Sequence, residues 1–204
     1  MKTMDRLVDD MISSNMLKSP LIIDAFRTID RKYFVPDEYA EDAYADMPLP
    51  IGNYQTISQP STVAFMLERL DPQDGNKVLD IGSGSGWTTA LLCYMVGDKG
   101  SVTGVERVET LVEQGSENLS KFRFDTDCHI EQAGDKLGLP GEQFDRILVS
   151  ASADEIPEAL FSQLKIGGIL VIPIGESIFK FTKISDTEVE KEEFYGFVFV
   201  PLIY

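Results

Sequence analysis

The stretch Val78-Leu79-Asp80-Ile81-Gly82-Ser83-Gly84-Ser85-Gly86-Trp87 decides how the chain is read. Its opening residues form a short apolar run of strand character, and the residues from Trp87 onward continue as an apolar segment of helix length. Between them, a Gly-x-Gly-x-Gly spacing lets the backbone turn tightly and brings main-chain N–H groups close to a ligand at a helix N-terminus. A dinucleotide fingerprint wants its third glycine where bulky Trp87 stands, so that reading fails. A P-loop fails too, because no Gly-Lys-Ser/Thr follows.

Outward from this loop, short apolar runs alternate with helix-length segments. Strands are expected at 77–81, 101–106, 129–132, 144–150 and 169–173, and helices at 87–96, 109–121 and 157–164. Alternation of this kind predicts an α/β fold, a doubly wound and mostly parallel sheet with crossover helices on both faces. Residues 178–202 hold strand-like runs around an acidic turn and are expected to close the sheet as a C-terminal antiparallel strand pair.

Upstream, Met4, Leu7, Val8, Met11 and Ile12 fall at helical spacing. Ser19-Pro20 reads as the cap and first turn of a second helix that carries Leu21, Ile22, Ala25, Phe26 and Ile29 inward. Residues 33–59 contain Pro36, Pro48, Pro50 and Gly52, with Pro60 just beyond, and predict an irregular segment whose length marks it as functional. The chain divides on this reading into a substrate-side segment 1–60, a core 61–175 and closing strands 176–204, all within one domain.

The 204 residues carry 34 acids against 18 bases, a net charge of −16. So acidic a surface argues against a nucleic-acid partner, which would need bases to displace counterions. The N-terminal stretch mixes charges through its apolar positions and has no signal-peptide core, and no apolar run is long enough to span a bilayer. A cytoplasmic monomer with no membrane partner is expected. Cys93 and Cys128 lack metal-ligand spacing and are expected to pack as free thiols in the core. No metal site is expected. The single histidine, His129, is expected to be a structural residue of its strand.

Two acids follow the glycine loop in the order that a nucleoside site needs. Glu106 ends the second strand, 24 residues after Gly82, where a carboxylate can accept hydrogen bonds from both ribose hydroxyls. Asp135, after the third strand, can face an adenine amino group. Together with the loop, this order resembles the S-adenosyl-L-methionine site of class I methyltransferases, a Rossmann-like fold.

From about residue 31 to residue 202 the chain further resembles the protein-L-isoaspartate O-methyltransferases. The likeness is carried by RKYFVP, by AYADMPLPIGNYQTISQP from Ala43 to Pro60, by VLDIGSGSG and GVERVETL, by the run from Phe144 to Gly175, and by FVPLI at 199–203. The block Gln55-Thr56-Ile57-Ser58-Gln59-Pro60 is the most specific of these. The resemblance implies Ser58 at the active-site position. It implies cofactor contacts from Thr56, Ile57, Ser58, Asp80, Gly82, Ser83, Gly84, Glu106, Gly134 and Asp135. The implied reaction moves a methyl group from S-adenosyl-L-methionine to the α-carboxylate of an isoaspartyl residue in a damaged protein or peptide, after which the ester collapses to a succinimide.

The residue inventory agrees with that chemistry. Methylation of an amine or hydroxyl calls for a general base, commonly histidine, whereas a carboxyl with a reference pKa of about 3.9 is already an anion near neutrality. Ser58 has a second reading as N-cap of the helix after Pro60. Departures from the family are Lys136 in place of a glycine after Gly134-Asp135, the polar, acidic run from Ser150 to Asp154, and an end at Tyr204 where some relatives continue. They keep open a divergent methyltransferase for another carboxylate, or a cofactor-binding protein without catalysis.

Overall fold

The computed structural model describes residues 3–203; Met1, Lys2 and Tyr204, which belong to the N-terminal stretch and chain end considered above, lie outside it. Nine strands and five α-helices are seen among the described residues. The helices are α1 (Met4–Ser13), α2 (Pro20–Thr28), α3 (Pro60–Leu70), α4 (Trp87–Val96) and α5 (Glu109–Ser120). A small hairpin pairs β1 (Leu49–Gly52) with β2 (Gln55–Ile57). The main sheet comprises β3 (Lys77–Ile81), β4 (Ser101–Glu106), β5 (Asp127–Gln132), β6 (Phe144–Val149), β7 (Leu164–Ile174), β8 (Ser177–Lys183) and β9 (Val189–Tyr195).

Its strand order is β5-β4-β3-β6-β7-β8-β9. The strands β3 to β7 run parallel, and β8 and β9 close the edge as the expected antiparallel pair. The order reverses between β3 and β6, so the loops leaving those two strands diverge and open a crevice at their carboxyl ends. The glycine loop and Ser150 stand there, and the Ser150 N–H donates to the Ile81 carbonyl at 2.8 Å.

Alternate residues of the strands face two separate apolar layers. Val78, Val102, Leu148 and Val171 join the apolar faces of all five α-helices, while Leu79, Val105, Ile147 and Leu170 face the other way onto Leu137, Leu160 and Leu164. Both faces are therefore covered, but not both by α-helices. The helix expected at 157–164 is a 3-10 turn, Glu158–Gln163, and the crossover preceding β6 is irregular. Gln163, at the end of the 3-10 turn, ties the two segments together: the buried amide accepts from the Leu139 N–H at 2.7 Å and donates to the Leu137 carbonyl at 2.9 Å, satisfying backbone of the irregular crossover.

Several local expectations are corrected. Ser19 stands at the N-cap of α2 but makes no cap bond; Glu68 of α3 instead accepts from the Lys18 and Ser19 N–H groups and the Ser19 hydroxyl. Ile12 and Leu21 are partly exposed rather than inward. Ser58 does not cap α3: the N-cap is Gln59, and Asp46 accepts from the Ser61 N–H at 2.9 Å in its place. Within 33–59, the β1–β2 hairpin is ordered by a tight turn in which Asn53 and Tyr54 both take positive φ. His129 stands in its strand as expected, exposed on the edge strand β5 beside Asp127 and Glu131.

The cysteines are not free thiols. Cys93 of α4 and Cys128 of β5 form a disulfide with Cα atoms 6.0 Å apart and a sequence separation of 35. Sequence separation concealed a pairing that the α4–β5 packing creates. Closing a loop of 35 residues restricts the unfolded chain by about 3–4 kcal/mol in the chain-entropy account. Equilibrium urea unfolding should accordingly lose stability of that order on reduction or in Cys93→Ala/Cys128→Ala; identical midpoints with and without reductant contradict the assignment.

Candidate functional site

The glycine loop is locked by its own backbone. The N–H groups of Gly82 and Ser83 donate to the Val105 carbonyl at 2.8 and 3.2 Å, and that of Gly86 to the Ser83 carbonyl at 2.8 Å. At Gly86 the requirement for glycine is strict, since φ is +85° and a Cβ would stand 2.8 Å from the Gly115 carbonyl oxygen of α5. From the same helix, Asn118 donates to the Ser85 carbonyl at 3.0 Å. The loop is thus clamped between β4 and α5.

Glu106 is buried at the end of β4, and both of its carboxylate oxygens are engaged by backbone. Oε2 accepts from the Gly84 N–H at 3.1 Å and Oε1 from the Val108 N–H at 2.9 Å. These bonds fix the carboxylate plane and leave a lone pair on each oxygen directed elsewhere. Beside it opens a cleft of about 270 Å³ lined by Gly82, Glu106, Gly134, Asp135, Ala151 and Leu202, among others. Gly134 has no atom within 4 Å of a built Cβ, so it faces open space there. Lys136 also lines the cleft and is exposed.

Beneath the loop, Asp80 is fully buried. The Thr89 hydroxyl donates to its Oδ2 at 2.7 Å, while Oδ1 has no partner. Burial pushes its carboxyl up to about 7; the Thr89 bond works against that rise, and the charge of Glu106 adds to it. Ser83, also buried, has an unpartnered hydroxyl.

A second cleft, of about 260 Å³, is walled by Thr56, Ser58, Gln59, Ser150 and the extended segment 198–200, among others. Three segments serve both clefts with neighbouring residues. Gln55 lines the first and Thr56 and Ser58 the second; Ala151 lines the first and Ser150 the second; Pro201 lines the first and Val200 the second. The two spaces therefore adjoin where these three segments pass between them.

The crevice thus gathers most of the residues singled out in the sequence. Gly82, Glu106, Gly134 and Asp135 line the first cleft, with Gly84 bound to Glu106 and Asp80 and Ser83 buried below. Thr56 and Ser58 line the second cleft instead, and Ile57 turns into the core. Asp154 is exposed and lines neither. Sequence reasoning missed Gln55, Val108 and 198–200, because a lining residue that contributes backbone or a generic side chain leaves no chemical signature. It also missed Arg31, whose side chain is wholly buried among carbonyls; a charged residue at the head of the RKYFVP block was the available signal.

Electrostatically the second cleft is neutral: its wall holds hydroxyls, amides and apolar groups but no charged side chain. An anion placed there would meet no fixed cation in the wall.

Comparison with known proteins accounts for nearly the whole chain. Residues 2–204 match the family model of protein-L-isoaspartate(D-aspartate) O-methyltransferase. A protein-L-isoaspartate O-methyltransferase of Methanopyrus kandleri is 40% identical over 204 residues, covering 98% of this chain and 90% of the relative. One from Flavobacterium psychrophilum is 46% identical over 186 residues, covering 89% and 85%. A Plasmodium falciparum crystal structure, described as a protein-L-isoaspartate O-methyltransferase and solved in complex with S-adenosyl-L-homocysteine, superposes with a TM-score of 0.85 at 25% identity, covering 100% of this chain and 99% of that one. With an interrupted parallel sheet, a carboxylate held at the end of β4 and a serine-walled cleft behind it, the chain belongs to the protein-L-isoaspartate(D-aspartate) O-methyltransferase family.

Proposed function

We propose that this protein transfers the methyl group of S-adenosyl-L-methionine to the α-carboxylate of L-isoaspartyl residues in damaged proteins or peptides, and that the ester then closes to a succinimide. The observation that carries this reading is the pair of adjoining clefts, one presenting a fixed carboxylate and the other a serine hydroxyl in a neutral wall. S-adenosyl-L-methionine supplies a methyl carbon on a positively charged sulfur when bound.

In this proposal Glu106 accepts the ribose hydroxyls on the lone pairs that Gly84 and Val108 leave free, and Asp135 faces the adenine amino group. Ser58 orients the acceptor carboxylate with its hydroxyl. No base is required of it, because that carboxylate arrives ionised. His129, on exposed β5, takes no part. The wall around Ser58 supplies no cation of its own to compete with the sulfonium for the acceptor, and alignment does most of the chemical work.

The reading places isoaspartyl proteins or peptides in the cytoplasm as acceptors and the protein as a monomer. It assigns residues 1–60 to the acceptor side, 61–175 to the cofactor side and 176–204 to closure of the sheet. Among the described residues no helix is long and apolar enough to cross a membrane.

Two predictions follow from the chemistry. With methyl-labelled cofactor and two peptides differing only in a normal or isoaspartyl linkage, base-labile label should enter the isoaspartyl peptide alone; label in neither, despite cofactor binding, contradicts the proposal. Ser58→Ala should lower turnover by roughly tenfold to a hundredfold, the loss of one hydrogen bond to a charged group, with little change in cofactor affinity.

Asp80 gives a pH signature. Its folded pKa of about 7 lies above the ordinary carboxyl value of 3.8, so the folded state holds a proton that the unfolded state has released. Stability from this group is therefore fully present below about 4 and declines as pH rises towards 7. The melting temperature of Asp80→Asn, measured relative to the unsubstituted cofactor-free protein, should move upward between pH 5 and pH 8. A difference independent of pH is the contrary result.

A further inference from the structure

Arg31 is a buried cation with no carboxylate at ion-pair distance among the described residues. Its relative exposure is 0%, and carbonyls satisfy the two ends of its fork: Nη1 donates to those of Ala43 at 2.8 Å and Ala45 at 3.2 Å, and Nη2 to those of Met47 at 2.9 Å and Ser58 at 3.1 Å, while Nε is buried without a partner. Its Cζ lies 5.4 Å from the ring centroid of Trp87, the first residue of α4 after the glycine loop, and the Trp87 indole donates to the Ile29 carbonyl at 3.3 Å. Burial lowers the guanidinium to about 10, against which Asp46 raises it, so the group stays charged at neutrality.

The four acceptors come from the two sides of the β1–β2 hairpin, 43–47 before it and Ser58 immediately after it. Arg31 closes the base of that hairpin. The other end is fixed separately: Asn53 donates to the Thr110 hydroxyl at 2.9 Å, and Ile51 lies 3.2 Å from where a Cβ on Gly84 would stand. The hairpin is therefore laid across the glycine loop between two anchors, and Ser58 sits at the Arg31 end.

We propose that Arg31 is a positioning residue for methyl transfer: its guanidinium fork sets the place of Ser58 relative to the cofactor cleft by binding the carbonyls on both sides of the hairpin while resting on Trp87. The inference builds on the proposed function of the Ser58 cleft. A planar fork with fixed donor directions can hold four carbonyls at once, whereas a lysine ammonium, a compact charge with three donors, cannot reproduce that array. Displacing the acceptor by about 1 Å can cost about a hundredfold in rate.

The test uses Arg31→Lys and Arg31→Met in the full chain, with three readouts. Turnover on an isoaspartyl peptide, counted per S-adenosyl-L-homocysteine-binding site, should fall about tenfold to a hundredfold, more in Met than in Lys and chiefly in kcat. Affinity for S-adenosyl-L-homocysteine by calorimetry should stay within about threefold, since Arg31 does not line that cleft. Hydrogen exchange should accelerate in 43–59 while β3 and β4 keep their protection. Wild-type kcat per site, or unchanged exchange at 43–59, overturns the proposal in either variant. Equal loss of cofactor affinity and turnover overturns it as well, leaving Arg31 a general stabiliser. If Arg31→Met fails to fold, Arg31→Lys decides. Failure of the unsubstituted protein to label the peptide counts against the proposed function; the exchange readout still judges Arg31 independently.

Discussion

The carboxylate of Glu106 is held in place by two backbone N–H groups, those of Gly84 and Val108. This pair of bonds joins the glycine loop to the end of β4 and to the turn that begins α5. A free carboxylate at a strand end would be solvated and would sample many rotamers. Here its plane is fixed before any ligand arrives, so the entropy of ordering it has already been met in folding. The close approach of Gly86 to Gly115 and the Asn118 bond to Ser85 serve the same end, because they hold the loop where Gly84 can reach the acid.

The rest of the site is arranged around that fixed point. The sheet's reversal between β3 and β6 supplies the crevice, and the segments after β6 and β9 wall it with alternate residues. Charge is distributed unequally between the two halves. The first cleft is lined by the acids Glu106 and Asp135 together with the bases Arg107 and Lys136, with Asp80 buried beneath, whereas the Ser58 cleft is lined without charge. An anionic acceptor meets no competing cation in the second. The chain's acidity, −16 overall, then acts as a long-range field that salt screens within about 8–10 Å and leaves alignment to local contacts.

The parts legible in the sequence are those set by local backbone demands. Gly82, Gly84 and Gly86 all take positive φ, a need that residue type alone reveals, and the alternation of apolar runs placed β3, β4, β6 and α4 closely. Glu106 was legible from its distance behind the loop. What depends on distant packing was not. Nothing in the spacing of Cys93 and Cys128 shows that α4 lies on β5. Ser19 and Ser58 each precede a helix proline and look like caps, yet Glu68 and Asp46, far away in sequence, supply the bonds. Arg31 gave no sign that four carbonyls would converge on it. The helix expected at 157–164 is a 3-10 turn whose Gln163 pairs with the backbone of the distant Leu137–Leu139 segment, a contact its local pattern does not show.

The central claim is that donor and acceptor occupy two adjoining clefts that meet at residues 55–58, 150–151 and 200–201. A crystal structure of the protein with both S-adenosyl-L-homocysteine and an isoaspartyl peptide measures this directly. The account predicts ribose hydroxyls on Glu106, and the isoaspartyl α-carboxylate within hydrogen-bond distance of Ser58 with an oxygen facing the homocysteine sulfur. A peptide seated away from Ser58, or a nucleoside whose sugar does not touch Glu106, would contradict it.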